Sequence, residues 1–515
     1  MLRRDVAVAE CHLLRGEAMN FGRKVLYTDE IEITSKNVGE VVREAYGEYL
    51  KTISEVKDLI EYEAGKQPLA RKKTYRSDIN CECVDNVANE ITEFKTGFIW
   101  GNPITFVQSG KKENASENLL EAVNELNRCY EAQGIRTKTQ ALARNVEITG
   151  IGYTYVDINM DNVDENGCFL IESIAPDRAF IVRSSYFVDE RPMLGVLLRK
   201  NKDGLLHFTC FTKNERYELN SLYEHAARSG ERNPIGAIPL VEWCRDHDRM
   251  GCFERQISEM NNLNLLISDF TNDVDQNTQA IWHGNDVDFP KELVQLEDGT
   301  TVERTKKPTT NDWMLTYTTQ DGKQPFVKPL AVEYDYVGML NNIVTRRALI
   351  LQKCNVPRRN DNSGGSTGIA MSDATGWSAA ETSASRQQNI MESCKMEELK
   401  VVLKAIRANP KVNQSNPLYA LKYTDVKPNI KRQKTYELTV KTNAICALLS
   451  HGFALEDVIT IAPLFEDPSQ TIARSGEGVK KYQENLLNND KKTEEKRPFA
   501  DYSDQENNSP RLKNN

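Results

Sequence analysis

Apolar residues recur at three- and four-residue spacing over 40–63, 78–100 and 115–149, which predicts three amphipathic helices early in the chain. Gly101-Asn102-Pro103 is a turn signal, and Ile104 to Val107 then reads as a strand. From Gly152 to Cys244 the pattern shortens to β-like runs: GYTYVDI, CFLIESI, RAFIVR, GVLLRK, LLHFTCFT and IPLVEWC. Gly, Asn, Asp and Pro punctuate them, so a mostly antiparallel sheet is expected.

The pattern changes again at Phe253. Phe253, Met260, Ile267, Val274 and Ile281 fall seven apart, with Leu263 and Phe270 three after Met260 and Ile267. This predicts a helix over 253–283, about 46 Å long at 1.5 Å per residue. Its other faces carry Asn, Asp, Thr and Gln, so one stripe calls for one or two helical partners. Gly284 stops it. Residues 284–332 hold Pro290, Pro308, Pro325, Pro329 and the β-like WMLTYT, as in a small compact insertion. Helical patterning resumes over 333–355, with Val337, Leu340, Val344, Ala348 and Leu351 on one side, and Pro357 ends it. Two long helices therefore flank a small β-containing tip. RRNDNSGGSTGIAMSDAT (358–375) has loop composition. A third long helix runs to about Ala408, with Ser378 and Glu381 at capping-box spacing, and Asn409-Pro410 closes it. Residues 435–464 read as one or two short helices, with Gly452 at a C-cap. From about 485 the chain is polar and reads as disordered. No internal repeat is found.

Composition narrows the class. A chain of 515 residues folds in more than one unit. With 39% hydrophobic residues, 27% charged residues and a mean hydropathy of −0.57, much surface is exposed, as in an elongated or oligomeric protein. The net charge of −9 excludes an ordinary DNA-coating protein, which needs excess cations to neutralise phosphates, but not a protein that holds nucleic acid at a distance. Eleven cysteines, an odd number spread along the chain, suggest reduced thiols and not a disulfide framework. The N-terminal apolar stretch is broken by Glu10, unlike a signal peptide, and nothing reads as a transmembrane helix.

Catalytic signatures are weak. HExxH, GxxxxGK[ST] and GxSxG are absent. Gly364-Gly365-Ser366-Thr367-Gly368 lacks the lysine of a phosphate-binding loop. Cys244, His247 and Cys252 offer three zinc-type ligands without a fourth, Cys81 or Cys83 being an ad hoc supplement; the alternative is a strand end and loop. Asp269 and Asp273 share a helix face, with Asp275 nearby; they fit a Mg²⁺ pair, a solvated face or a channel-lining face. Arg346 and Arg347 end the helix before the glycine-rich loop and Arg358 and Arg359 start that loop, so this cluster either touches phosphates or faces solvent.

Four segments together resemble the portal protein of tailed bacteriophages, of the type found with long non-contractile tails. GFIWGNPITF (97–106) resembles the family's glycine-aromatic-GxPI element. MGCFERQISEMNNLNLLISDFTNDVDQNTQAIWHG (250–284) resembles the G-x-F-E start of its first stem helix and the N-x-L-x-S-D-x-x-N-D core. CNVPRRND (354–361) resembles the x-x-VP-x-x-D that closes the second stem helix, and STGIAM (366–371) the SGIAL before the long helix, here one residue longer. The likeness spans about 80–470.

The resemblance implies a helix-rich α+β portal fold. Its parts would be an α/β wing (1–252), stem helices (253–283 and 333–356) and a small β-containing clip (284–332). A tunnel loop (357–372), a long wing helix (373–408), a helical crown (409–484) and a disordered tail (485–515) would follow. It implies a ring, usually of twelve subunits, at one capsid vertex of a virion assembled in the host cytoplasm, with double-stranded DNA passing through its axis. Implied partners are the terminase large subunit, head–tail connector proteins, and the major capsid and scaffolding proteins, with no membrane. No catalysis, cofactor or metal is implied; ATP hydrolysis would belong to the packaging motor. Candidate DNA-channel residues on the tunnel loop are Arg358, Arg359, Asn360, Asp361, Ser363, Gly364 and Gly365. Asp269, Asp273 and Asn277 are stem candidates for lining the channel, and Arg304, Lys306, Lys307 and Trp313 are clip docking candidates. The competing readings are a non-portal head–tail adaptor, which is usually much shorter and lacks paired stem helices, and a metal-dependent nucleic-acid enzyme built on Asp269, Asp273 and Asp275 or on Cys244, His247 and Cys252.

Overall fold

The computed structural model describes residues 22–69, 79–109, 117–161, 167–188, 190–226, 229–278, 282–285, 287–288, 291–296, 299–305, 315–316, 326–329, 335–357, 376–432, 437–453, 458 and 478. The chain starts with β1 (Leu26–Thr28), α1 (Val38–Glu63), α2 (Val87–Trp100), β2 (Thr105–Gln108), α3 (Glu117–Ala132) and α4 (Ile135–Thr149). Eight strands follow: β3 (Ile151–Ile158), β4 (Phe169–Ile174), β5 (Ala179–Ser184), β6 (Pro192–Lys200), β7 (Leu206–Phe211), β8 (Glu215–Leu219), β9 (Glu231–Arg232) and β10 (Leu240–Cys244). Then come α5 (Ile257–Thr278), β11 (Trp282–Asn285), β12 (Val287–Asp288), β13 (Lys291–Gln295), β14 (Thr301–Thr305), β15 (Leu315–Thr316) and β16 (Phe326–Pro329). The last described elements are α6 (Tyr336–Lys353), α7 (Trp377–Ala408), α8 (Pro417–Ala420), β17 (Val426–Asn429) and α9 (Glu437–Ser450).

The short β-like runs assemble as two sheets. One has the order β1-β5-β6-β7-β8-β9, antiparallel from β5 onward, with β1 joining β5 in parallel. α1 covers it, packing Val38, Val42 and Tyr49 on Phe180, Val196, Phe208 and Tyr217. The other sheet, β10-β3-β4, is antiparallel and carries α4 and α7. Trp243 of β10 packs there with Leu142 and Val146 of α4 and with Ala384 and Met391 of α7.

Several boundaries differ from the sequence reading. The helix expected over 115–149 is two helices, because Gly134 turns left-handed (φ 63°) and restarts the chain as α4. The helix expected over 78–100 begins only at Val87, where Asn86 accepts a hydrogen bond from the Asn89 amide; residues 79–86 form neither helix nor strand. The helix expected over 253–283 is a 3-10 turn at Glu254–Gln256 followed by α5, about 33 Å long, and β11 pairs antiparallel with β16 where helix was expected. The helix after the insertion starts at Tyr336, capped by Asp335, whose carboxylate accepts the Gly338 amide at 2.9 Å. Ser378 and Glu381 form no capping box: Gly376, left-handed at φ 87°, is the N-cap of α7, and Glu381 pairs instead with Arg432 at 2.7 Å.

The stretch 409–432, assigned to the crown by the resemblance, packs into the body. β17 pairs antiparallel with β2, and Leu418, Leu421 and Val426 join the cluster formed by Phe106, Leu126, Tyr130, Phe169 and Leu399. α9 falls within 435–464, where one or two short helices were expected, and ends as expected at Gly452 (φ 85°), with the Phe453 amide bonded to the Leu448 carbonyl. The tail 485–515 lies outside the described residues.

Candidate functional site

α5 and α6 pack as a hairpin whose floor is α1 and α2. Leu263, Met260 and Phe253 meet Leu59, Tyr62, Val87, Ile91, Ile343, Ile350 and Leu351 in one cluster. One polar row of α5, beside the Asp269–Asp273–Asn277 row, is bonded along its length. Asn264, Ser268 and Asn272, each buried, accept the backbone amides of Asp85 (2.9 Å), Cys83 (3.0 Å) and Cys81 (2.7 Å). Ser268 and Asn272 also donate back to the carbonyls of Cys83 and Cys81. The geometry explains why an i, i+4, i+8 polar row grips an extended strap. Four helical residues advance about 6.0 Å and two extended residues about 6.6 Å, so the two ladders stay in step for a few rungs. The strap is extended because its alternate amides are taken by these side chains.

α6 is tied to the same floor by charges. Arg347 bonds Asp85 of the strap at 2.8 Å and Glu90 of α2 at 2.5 Å. Arg346 and Arg347 lie within α6 rather than at its end, and Arg346 pairs with Asn342 and Glu259. At the far end of the hairpin Asn277 donates to the Tyr336 hydroxyl. At the near end buried Lys95 of α2 donates to the Asn355 carbonyl at 3.4 Å, placing a cation where the C-terminal end of α6 is negative. Burial depresses the Lys95 pKa, with the Glu147 carboxylate opposing the shift.

The described residues that flank 358–375 lie close together. Asn355 is left-handed (φ 55°) and Gly376 likewise (φ 87°), and a Cβ on Gly376 would sit 4.0 Å from the Pro357 Cα. Trp377, the first residue of α7, stacks edge-on against Phe94 and Phe98 of α2, at 6.0 and 5.7 Å between ring centroids. α2 thus holds both ends of this segment, Asn355 through Lys95 and Trp377 through its aromatic pair.

α7 is fixed by buried polar groups. Gln387 donates to Glu147 of α4, which also accepts Trp100 Nε1 at 3.0 Å and Arg245 Nε at 3.3 Å. Further along, Lys395 and Glu398 pair at 2.5 Å, and Tyr130 donates to Glu398 at 3.1 Å. On the second sheet, Glu242 is held by Arg249 at 2.7 and 2.9 Å, Arg183 at 3.3 Å and Tyr153 at 3.1 Å. Burial alone would raise its pKa, but Arg249 and these neighbours hold it below the usual carboxylate value.

One face of α6 is exposed among the described residues. Val337, Leu340 and Val344 are 71%, 50% and 57% exposed, while Ile343, Ile350 and Leu351 face the core. The stripe read from the sequence as a single buried side is buried only at one end: Leu351, seven residues after Val344 and so on the same side of the helix, is covered, whereas Val337, Leu340 and Val344 are exposed.

The remaining site residues divide as follows. Asp269, Asp273 and Asn277 are half-buried on α5, and Asn277 is engaged by Tyr336. Asp275 accepts from the Cys81 thiol at 3.4 Å. Arg304 is exposed on β14, across from Glu292 of β13. Lys306, Lys307 and Trp313 lie outside the described residues, as do Arg358, Arg359, Asn360, Asp361, Ser363, Gly364 and Gly365. Cys244 and Cys252 do not converge: Cys244 packs beside Tyr153 and Leu240, whereas Cys252 packs with Phe253 and Ile257 and contacts Thr92. Among the described residues no three His, Cys, Asp or Glu side chains are placed to hold a metal, and no helix is long and apolar enough to cross a membrane. Sequence reasoning missed the strap ladder, Lys95 and the Phe94–Phe98–Trp377 cluster. The ladder left a signal, Asn264, Ser268 and Asn272 at every fourth position beside the apolar stripe.

Comparison with protein families matches residues 45–480 to phage portal proteins of the SPP1 Gp6-like type. The chain belongs to that family. Portal proteins of this kind are structural, and the helix-rich α+β architecture is that of the family. No curated protein matches the chain. Among solved structures it is similar to a chain from the neck of an empty GTA particle computed with C6 symmetry, at 11% identity, covering 78% of this portal chain and 96% of that chain, with a TM-score of 0.37. That likeness is too loose to bear on the portal's details.

Proposed function

We propose that this portal subunit assembles into a closed ring, of twelve copies by family resemblance, that forms a channel for double-stranded DNA at one capsid vertex. The observation that carries the reading is the outward stripe of α6. Val337, Leu340 and Val344 lie on a helix otherwise anchored through Arg347, Tyr336 and Ile350, so an apolar surface is held in place and exposed. Burying the exposed part of three such side chains is worth roughly 1–2 kcal/mol each, a drive to associate. Head-to-tail contacts between identical hairpins close into a ring without a second gene product.

In this reading α5 and α6 are the stem, β11–β16 belong to the clip, and residues 357–372 are the tunnel loop at the channel. The clip docks the terminase large subunit during packaging and head–tail connectors afterwards, with Arg304, Lys306, Lys307 and Trp313 as its candidate contacts. The wing and crown meet the major capsid and scaffolding proteins. Assembly takes place in the host cytoplasm and the product is the portal vertex of the virion. The net charge of −9 suits a conduit, because each phosphate a wall neutralises adds affinity that a moving duplex must lose again. Arg358 and Arg359 supply a few point contacts. The subunit performs no catalysis; the motor hydrolyses ATP.

Electron microscopy of the purified full chain tests this. Closed rings with a central channel are expected. A protein that stays monomeric at micromolar concentration and never forms rings overturns the proposal. Metal-dependent DNA cleavage that is lost in Asp273→Ala would instead support the enzyme reading.

A further inference from the structure

Two cysteines meet in the core away from the stem. Cys129 lies on α3 and Cys168 immediately precedes β4; both are buried in the cluster of Leu126, Tyr130 and Phe169. Their thiols are in hydrogen-bond contact with each other. The approach depends on Gly167: it is left-handed (φ 80°), and a Cβ there would lie 3.2 Å from the Cys129 carbonyl oxygen and 3.3 Å from its Cβ. Cys168 is pinned on its other side, where Asn409 Nδ2 donates to its carbonyl at 3.0 Å and to that of Asn159 at 2.8 Å. The pair is thus pressed together by three elements: α3, the turn into β4 and the end of α7.

We propose that Cys129 and Cys168 form a redox site that closes to a disulfide, stapling α3 to β4, once the protein leaves a reducing compartment. The co-reactant is a small-molecule disulfide. The Cys129 thiolate attacks one of its sulfurs and releases one small thiol, leaving a mixed disulfide. Cys168 then gives up its proton and displaces the second small thiol. Two protein S–H bonds are lost, one protein S–S bond forms, and the small disulfide is reduced to two thiols. The two sulfurs are unequal in the way this sequence needs. The hydrogen bond from Cys168 holds the Cys129 thiol below its ordinary pKa, with burial opposing, while that contact and burial push Cys168 up. Closure constrains the unfolded chain between the two residues, so the oxidised protein unfolds at higher temperature. Burial makes the reaction wait for local opening, slower than modification of exposed Cys446. The biological setting, a particle released from a reducing cytosol, rests on the portal reading; the bond does not.

The test uses the full-length chain incubated with oxidised glutathione or with dithiothreitol, followed by alkylation of remaining thiols under denaturing conditions, proteolysis and mass spectrometry. A linked Cys129–Cys168 peptide pair is expected, formed at any protein concentration and released by dithiothreitol. The oxidised sample melts several degrees higher, a gain absent in Cys168→Ser. If both thiols stay alkylatable after Cys446 has been fully modified, or if either pairs with another cysteine instead, the proposal fails. Microscopy of the same samples keeps the two readings apart: rings without this bond overturn the redox site alone, and the bond without rings overturns the portal reading alone.

Discussion

Removing one rung of the strap ladder gives a sharp test of how the α5–α6 hairpin is held. Asn264 is fully buried; its Oδ1 accepts the Asp85 amide at 2.9 Å and its Nδ2 donates to Gln67 Oε1 at 2.6 Å. Asn264→Ala leaves a buried amide and a buried amide oxygen without these partners, each costing about 1–3 kcal/mol. The expected loss is roughly 2–4 kcal/mol, and every 1.4 kcal/mol is tenfold in an equilibrium. Global unfolding of a chain with several cores is unsuited to reading that loss, because it need not be two-state. Amide hydrogen exchange over 79–86 reads it directly. Exchange there should quicken by about 30-fold or more, most at Asp85 and least at Cys81, where the Ser268 and Asn272 rungs remain. α1 beneath the first sheet should be unaffected. Asn262→Ala, at an exposed position on the same helix, should change nothing beyond about 0.5 kcal/mol. If the strap in Asn264→Ala exchanges within threefold of wild type, the ladder is not what holds it, and the physical account of the extended segment is wrong.

Other consequences follow from the same contacts. Val344→Glu puts a charge into the outward stripe at an exposed site, so circular dichroism should stay native while rings disappear in electron microscopy; rings of normal size would remove the stripe from the interface. Glu242 has a folded-state pKa below its unfolded value, so it contributes stability above the unfolded pKa and loses it as pH falls from about 4.5 through the depressed value. Glu242→Gln should therefore narrow the stability difference between neutral and acid pH in denaturant titrations; an unchanged difference refutes this. Gly376→Ala forces a side chain to adopt φ 87° and should cost about 1 kcal/mol, seen as faster exchange in the first turn of α7; unchanged exchange there would mean that the left-handed cap is not needed. Changing Arg358 and Arg359 together to Ala should impair DNA packaging or retention while rings still form, and unaltered packaging would place both side chains away from the duplex.

What the sequence made legible was periodicity, and what it hid was the partner on each face. The β-like runs between Gly152 and Cys244 became strands because short, punctuated apolar runs admit few alternatives. The N-x-L-x-S-D-x-x-N-D run was readable as a family mark, yet its physics was not: period alone cannot distinguish a polar row that meets water from one that meets backbone amides. Lys95 and Arg347 escaped for a related reason, since their partners Asn355, Asp85 and Glu90 lie more than 250 residues away along the chain. α6 shows the deeper limit. Ile343 and Ile350 serve the subunit, whereas Val337, Leu340 and Val344 stay exposed, and both sets obey helical spacing. A helix that carries apolar residues on two faces encodes two packing partners, and hydrophobicity does not say which of them is covalently attached. The choice is made by the polar anchors instead. Arg347 on one flank and Tyr336 at the tip can reach their partners in only one rotation of α6, and that rotation turns Val337, Leu340 and Val344 away from the body. The side chains that looked like ordinary surface residues thus decide which apolar face is left for another copy of the chain.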